Sequence, residues 1–146
     1  MQNDSRKSPE KQILVIDDDF DTALVVKLML QSCGYEADMF IDARVALSNL
    51  QPQIYSLAII DFRMGGIDGF ELYERFSEMD NKMKVCFMSG YDNSEALARF
   101  QSKHHGFSSD CFLRKPLDID GFIDRVNKMT ANSNPIETET DVMKEV

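Results

Sequence analysis

Tryptophan is absent from this 146-residue chain, and no apolar run comes near a membrane-spanning length, which is roughly 18 residues or more. The opening stretch, Met1 to Glu10, is polar and has no hydrophobic leader segment. A cytoplasmic location is therefore expected, with no membrane partner. Cysteine is scarce: Cys33, Cys86 and Cys111 form an odd set without a C-x-x-C pair. That points to buried free thiols in a reducing compartment rather than a disulfide framework. Positive charge is in short supply too, with 16 Lys and Arg against 25 Asp and Glu and a net charge of −9. Such an acidic surface argues against binding nucleic acid through a basic patch and against adsorbing to an anionic bilayer. What the chain does have is apolar content, 43% of residues. That suffices for a packed core, and the length fits one domain with short tails.

Strand-like and helix-like patterns alternate along the chain. Ile13–Ile16 reads as a short all-apolar strand of the kind found inside parallel sheets. Phe20 to Ser32 reads as a helix with Phe20, Ala23, Leu24, Leu28 and Leu30 turned inward, stopped by Gly34. Tyr35–Phe40 is an edge-like strand, and Asp42 caps a short helix that ends before Pro52. Ile54–Ile60 is a third strand, followed by a loop holding Gly65-Gly66 and a helix from Asp68 to Met79. Lys84–Met88 is a fourth strand, Ser94 to Ser102 a helix carrying Leu97, Ala98 and Phe100, and Asp110–Arg114 a fifth strand. Asp118 caps a last helix that buries Phe122, Ile123, Val126 and Met129. Five strands alternating with five helices predict an α/β fold: a flavodoxin-like, doubly wound, five-stranded parallel sheet in the order 2-1-3-4-5. Residues 1–10 are expected to be a disordered lead, 11–130 the domain, and 131–146 an acidic flexible tail or linker, with Glu137, Glu139, Asp141 and Glu145 against Lys144.

Chemistry-bearing residues gather at the carboxyl ends of these strands. Asp17-Asp18 follows the first, Asp61 the third, Ser89 the fourth and Arg114-Lys115-Pro116 the fifth. In the predicted order the first and third strands are neighbours at the point where the winding reverses, and ligands bind at such edges. Three carboxylates there repel one another, and a divalent cation with a nearby lysine relieves that. Asp61 is a candidate nucleophile, since aspartate accepts a phosphoryl group as an acyl phosphate. Asp17 and Asp18 can hold Mg²⁺, Lys115 can meet a phosphoryl oxygen, and the Ser89 hydroxyl can donate to another. Singly, each has an ordinary explanation: a helix-start acidic cluster, a turn aspartate, a solvated lysine, a capping serine. Their conjunction at separate strand ends is what points to a site. His104-His105 lies between the last two strands; adjacent side chains rarely share a metal, so a solvated loop is expected there.

The segments I-L-V-I-D-D, L-A-I-I-D-F-R-M-G-G-I-D-G, V-C-F-M-S-G and F-L-R-K-P resemble the receiver domain of two-component response regulators over about Lys11 to Thr130. The resemblance implies that Asp61 is the phosphoacceptor and that Asp17, Asp18, Asp61 and the Arg63 backbone carbonyl serve Mg²⁺. It implies Ser89 as switch hydroxyl, Lys115 as phosphoryl-binding base, Phe112 as switch aromatic, and a cis peptide before Pro116. Arg63 and Tyr91, with Gly90 in place of a common Ala, would tune phosphoryl lifetime. A histidine kinase or phosphotransfer protein would be the donor, and a downstream effector protein would read the face made by the fourth helix, fifth strand and last helix. Ala96, Phe100, Phe112 and Phe122 fall on or beneath that face. The chain would then be a signalling phosphoacceptor that assists its own phosphorylation and dephosphorylation, not an enzyme turning over metabolites. Gly65 stands where proline is common, which should loosen the acceptor loop. Two other classes compete. A haloacid-dehalogenase-type phosphatase needs D-x-D-x-T or D-x-D-x-V, but reading from Asp17 reaches Asp21 and from Asp19 reaches Ala23. The other is a receiver-like binding module that works without phosphorylation.

Overall fold

The computed structural model describes residues 12–67, 69–80, 82–90, 94–104 and 112–131. The expected lead and acidic tail, Cys111, His105 and Tyr91 lie outside these residues, as does the side chain of Ala96. Five strands, β1 (Gln12–Ile16), β2 (Glu36–Phe40), β3 (Leu57–Asp61), β4 (Lys84–Ser89) and β5 (Phe112–Arg114), form one sheet. They alternate with helices α1 (Phe20–Ser32), α2 (Ala43–Asn49), α3 (Gly69–Met79), α4 (Ser94–Lys103) and α5 (Ile119–Ala131). The spatial order is β2-β1-β3-β4-β5 and every neighbouring pair is parallel. This is the expected flavodoxin-like, doubly wound architecture.

Alternation along each strand sends its apolar residues to two cores, one on each face of the sheet. Ile13, Val15, Leu57, Ile59 and Met88 pack with α1 and α5 through Ala23, Val26, Leu30, Phe122 and Val126. Leu14, Ile16, Ala58, Ile60, Val85 and Phe87 pack with α2, α3 and α4 through Ala43, Ala46, Leu72, Phe76 and Phe100. Because both faces are covered, the central strands β1 and β3 are apolar up to their ends, whereas the edge strand β2 alternates, with Glu36 and Asp38 exposed on either side of buried Ala37. Aspartates start three helices. Asp19 accepts from the Thr22 N–H, Asp42 from the Arg44 N–H and Asp118 from the Gly121 N–H, each satisfying a donor the helix cannot. Glycine is required at the start of α3, where a Cβ on Gly69 would come within 3.1 Å of the Phe62 Cα and of the Phe87 ring.

Several local expectations are corrected. In α1 the buried stripe is Ala23, Val26 and Leu30, while Phe20 and Leu28 are more than half exposed. Apolar residues surround this helix, so the spacing alone admits more than one inward face. Strand β3 begins at Leu57, not Ile54. Gln53 adopts a left-handed φ of 69° in the preceding turn, where its N–H donates to the buried Asp80 carboxylate at 2.8 Å, and Ile54 remains exposed. Cys33 is exposed at the C-cap of α1, whereas Cys86 is buried in β4. Ala98 points to solvent while Phe100 is buried. His104 is not in a solvated loop. Its ring lies 4.4 Å from Phe100 and 5.2 Å from Tyr73, and its Nε2 is 3.4 Å from the Glu74 carboxylate.

The α1 assignment is open to a direct check by denaturant unfolding. Leu30→Ala, emptying a fully buried site, is expected to cost about 2–5 kcal/mol. Leu28→Ala, at an exposed position, should change stability by no more than about 0.5 kcal/mol. Equal losses would contradict the stripe.

Candidate functional site

Strand register builds the site. Ile16 pairs with Ile60, so the next residues, Asp17 just past β1 and Asp61 at the end of β3, lie side by side. Ser89 pairs with Arg114, so Lys115 leaves the sheet beside them, its N–H donating to the Ser89 carbonyl at 2.7 Å. The Lys115–Pro116 peptide is cis. One carboxylate oxygen each from Asp17, Asp18 and Asp61 lies within 4.8 Å of the others. Asp17 is fully buried and Asp61 is 7% exposed, while Asp18 faces solvent. The Lys115 ammonium reaches Asp17 Oδ2 at 3.0 Å and Asp61 Oδ1 at 3.3 Å. The Asp19 N–H donates to Asp17 Oδ1 at 2.9 Å. The acidic triplet thus divides its work: Asp19 caps α1, and Asp17 and Asp18 turn to the sheet edge.

The charges do not balance. Three carboxylates face one ammonium, and two of the carboxylates are shut away from water. Asp61 is raised from its ordinary 3.8 to about 6, first by burial and then by the charge of Asp17, with Lys115 opposing. Burial alone would lower Lys115, but its hydrogen bond to Asp17 and the nearby charge of Asp61 outweigh that and raise it. An all-oxygen donor set with residual negative charge is what Mg²⁺ takes. The residues therefore fit a hard divalent cation. Among the described residues no other group of three or more acidic, histidine or cysteine side chains could hold a metal.

Of the remaining sequence candidates, Ser89, Gly90, Arg63 and Phe112 fall among the described residues. Ser89 is buried at the end of β4, and a Cβ on Gly90 would meet nothing within 4 Å. Arg63 is exposed two residues beyond Asp61. Phe112 is half-buried, its ring 5.7 Å from Phe62 and 5.8 Å from Phe87. Two features escaped sequence reasoning. The Gly65 N–H donates to Asp18 Oδ2 at 3.3 Å, and the left-handed φ of 91° that glycine permits falls at Gly66, not at Gly65. A backbone N–H carries no residue signature, so only the absence of proline at 65 was visible in the sequence.

A family model described as the response regulator receiver domain matches residues 13–127. This chain belongs to that family. Membership sets aside the haloacid-dehalogenase phosphatase. Among its relatives, the response regulator receiver protein CpdR of Brucella abortus is 28% identical over 82% of this chain and 96% of its own length. Sporulation initiation phosphotransferase F of Bacillus subtilis is 25% identical over 81% of this chain and 92% of its own length. The transcriptional regulatory protein ZraR of Escherichia coli is 27% identical over 88% of this chain, which spans only 28% of ZraR. A CheY-like receiver domain from Methanospirillum hungatei superposes with a TM-score of 0.71 at 22% identity, covering 84% of this chain and 95% of that one, which shows the shared fold. No helix among the described residues of this receiver domain is long and apolar enough to cross a membrane.

The raised Asp61 sets the sign of a pH effect in metal-free protein. The folded state takes up the proton at a pH where the unfolded chain has lost it. Asp61's contribution to stability therefore falls as pH rises from about 4 through about 6, by up to about 2–3 kcal/mol. Asp61→Asn should remove that fall, making the variant more stable than the parent near pH 8 and about equal to it near pH 4. Urea unfolding in chelator at both pH values checks this; parallel pH profiles would contradict it.

Proposed function

We propose that this receiver domain accepts a phosphoryl group on Asp61 from a phosphohistidine of a histidine kinase or phosphotransfer protein, and that the modified domain binds a downstream effector protein differently. The observation that carries this reading is the convergence of buried Asp61 with Asp17, Asp18 and Lys115 at one sheet edge. Asp17, Asp18, Asp61 and the Arg63 backbone carbonyl would hold Mg²⁺. Bound there, the ion supplies charge neutralisation between the carboxylates and the incoming phosphoryl oxygens.

The chain's own groups do the rest. An Asp61 oxygen forms the new bond to phosphorus while the phosphorus–nitrogen bond of the donor breaks. The electron pair leaves with the imidazole, which takes a proton. Lys115 already sits within 3.3 Å of the Asp61 carboxylate, so its charge is in place for a phosphoryl oxygen without reorganisation. Ser89 supplies a hydroxyl donor from β4, and the space beside Gly90 admits the added group. Arg63 and Tyr91, two residues along the sequence from Asp61 and Ser89, would tune how long the acyl phosphate survives attack by water. Phosphorylation adds negative charge at the sheet edge. Drawing Ser89 and Lys115 toward it biases an existing equilibrium in the face formed by α4, β5 and α5, with Phe112 coupled by packing alone because it has no hydroxyl.

The parent protein should be labelled stoichiometrically by acetyl phosphate in Mg²⁺ and not in chelator. Asp61→Asn should abolish labelling. A stable, stoichiometric acyl phosphate on another residue of that variant would refute the assignment.

A further inference from the structure

The three converging carboxylates are held unequally. Asp17 accepts from the Asp19 N–H and from Lys115, and Asp61 pairs with Lys115. Asp18 is exposed, and among the described residues its one hydrogen bond or ion pair is with the Gly65 N–H, at 3.3 Å to Oδ2. Nothing else there fixes which way that carboxylate faces.

Gly65 has no other evident reason to be glycine. Its φ is not left-handed; the described glycines with positive φ are Gly34 and Gly66. A Cβ at Gly65 would meet nothing within 4 Å. What this position gives its surroundings is a backbone N–H, which any residue but proline can supply. We infer that the Gly65 N–H is a positioning group for the metal site: it ties the loop after β3 to the loop after β1 and holds the Asp18 carboxylate facing the other two. The inference rests on reading Asp18 as a Mg²⁺ ligand.

An untethered aspartate spreads over its χ1 wells and must be ordered when the ion arrives. A tethered one is already placed, and pre-ordering strengthens binding. Losing the tether should weaken Mg²⁺ affinity roughly threefold to tenfold. The chemistry at Asp61 should be unaffected once the ion is saturating.

The test uses the full 146-residue chain as parent, Gly65→Ala and Gly65→Pro. Calorimetry gives the Mg²⁺ Kd, and acetyl phosphate labelling gives the initial rate as a function of Mg²⁺. Gly65→Pro should raise Kd by that factor and shift the Mg²⁺ dependence to higher concentration with the same plateau rate. Gly65→Ala, which keeps the N–H, should stay within about twofold of the parent. The inference is overturned if Gly65→Pro binds as tightly as the parent. It is also overturned if Gly65→Ala weakens binding equally, since chain freedom rather than the donor would then be the cause, or if the proline variant loses plateau rate. Should Gly65→Pro fail to fold, the amide proton of Gly65 decides: Asp18→Ala should move its resonance upfield, and an unmoved resonance overturns the tether. A parent that binds no Mg²⁺ would bring down the proposed function and this inference together, whereas a binding parent matched by Gly65→Pro removes the inference alone.

Discussion

Asp17 and Asp61 lie buried beside each other because β1 and β3 are hydrogen-bonded neighbours ending in the same register. That forced approach of two like charges governs the rest of the site. It adds to the rise that burial causes at Asp61 and gives Lys115 two carboxylates to answer. With exposed Asp18 alongside, it leaves negative charge that one ammonium cannot cancel. A protein interior would ordinarily avoid this arrangement. Here the two apolar cores and the pairing of β1 with β3 keep the backbones of the two aspartates side by side.

The cost sits on an otherwise conventional frame. β1 and β3 carry uninterrupted Ile, Leu, Val and Ala up to their ends, so nothing within these central strands competes with the charged edge. The acidic groups of the central strands are confined to their carboxyl ends, and Asp19, Asp42 and Asp118 are spent on helix caps. Stability is therefore concentrated in the layers, and electrostatic stress on one rim.

Much of this was legible in the residues. Apolar runs alternating with helical segments led to five strands and five helices, and the acidic and basic residues just past those runs led to Asp17, Asp18, Asp61 and Lys115. The misreadings have physical causes. α1 is apolar nearly all round, so spacing could not choose among its faces, and Leu28 was assigned inward where Val26 belongs. Ile54 has a strand-like pattern, but Asp80, twenty-seven residues beyond Gln53, holds the turn that keeps it out of β3. His104 adjoins His105 in sequence, but rings from α3 and α4 decide its surroundings. The Gly65 contact was invisible because a backbone N–H carries no residue signature.

The two faces of the sheet are fastened by different means. On the α1–α5 side, the Tyr35 hydroxyl meets Asn127 and Thr130, and the Lys84 ammonium donates to the Met129 carbonyl at 3.1 Å. On the α3–α4 side the joint is a run of rings: Phe62 to Phe70 at 4.5 Å, Phe70 to Phe100 at 4.2 Å, then His104. Directional bonds act as rivets, since small displacements break them. Stacked rings resist being pulled apart but yield to sideways slip, because offset and tilted arrangements differ little in energy. Phe62, next to Asp61, is the first ring in that run, so a disturbance at the acidic rim meets a greased bearing on one side and a bolted plate on the other.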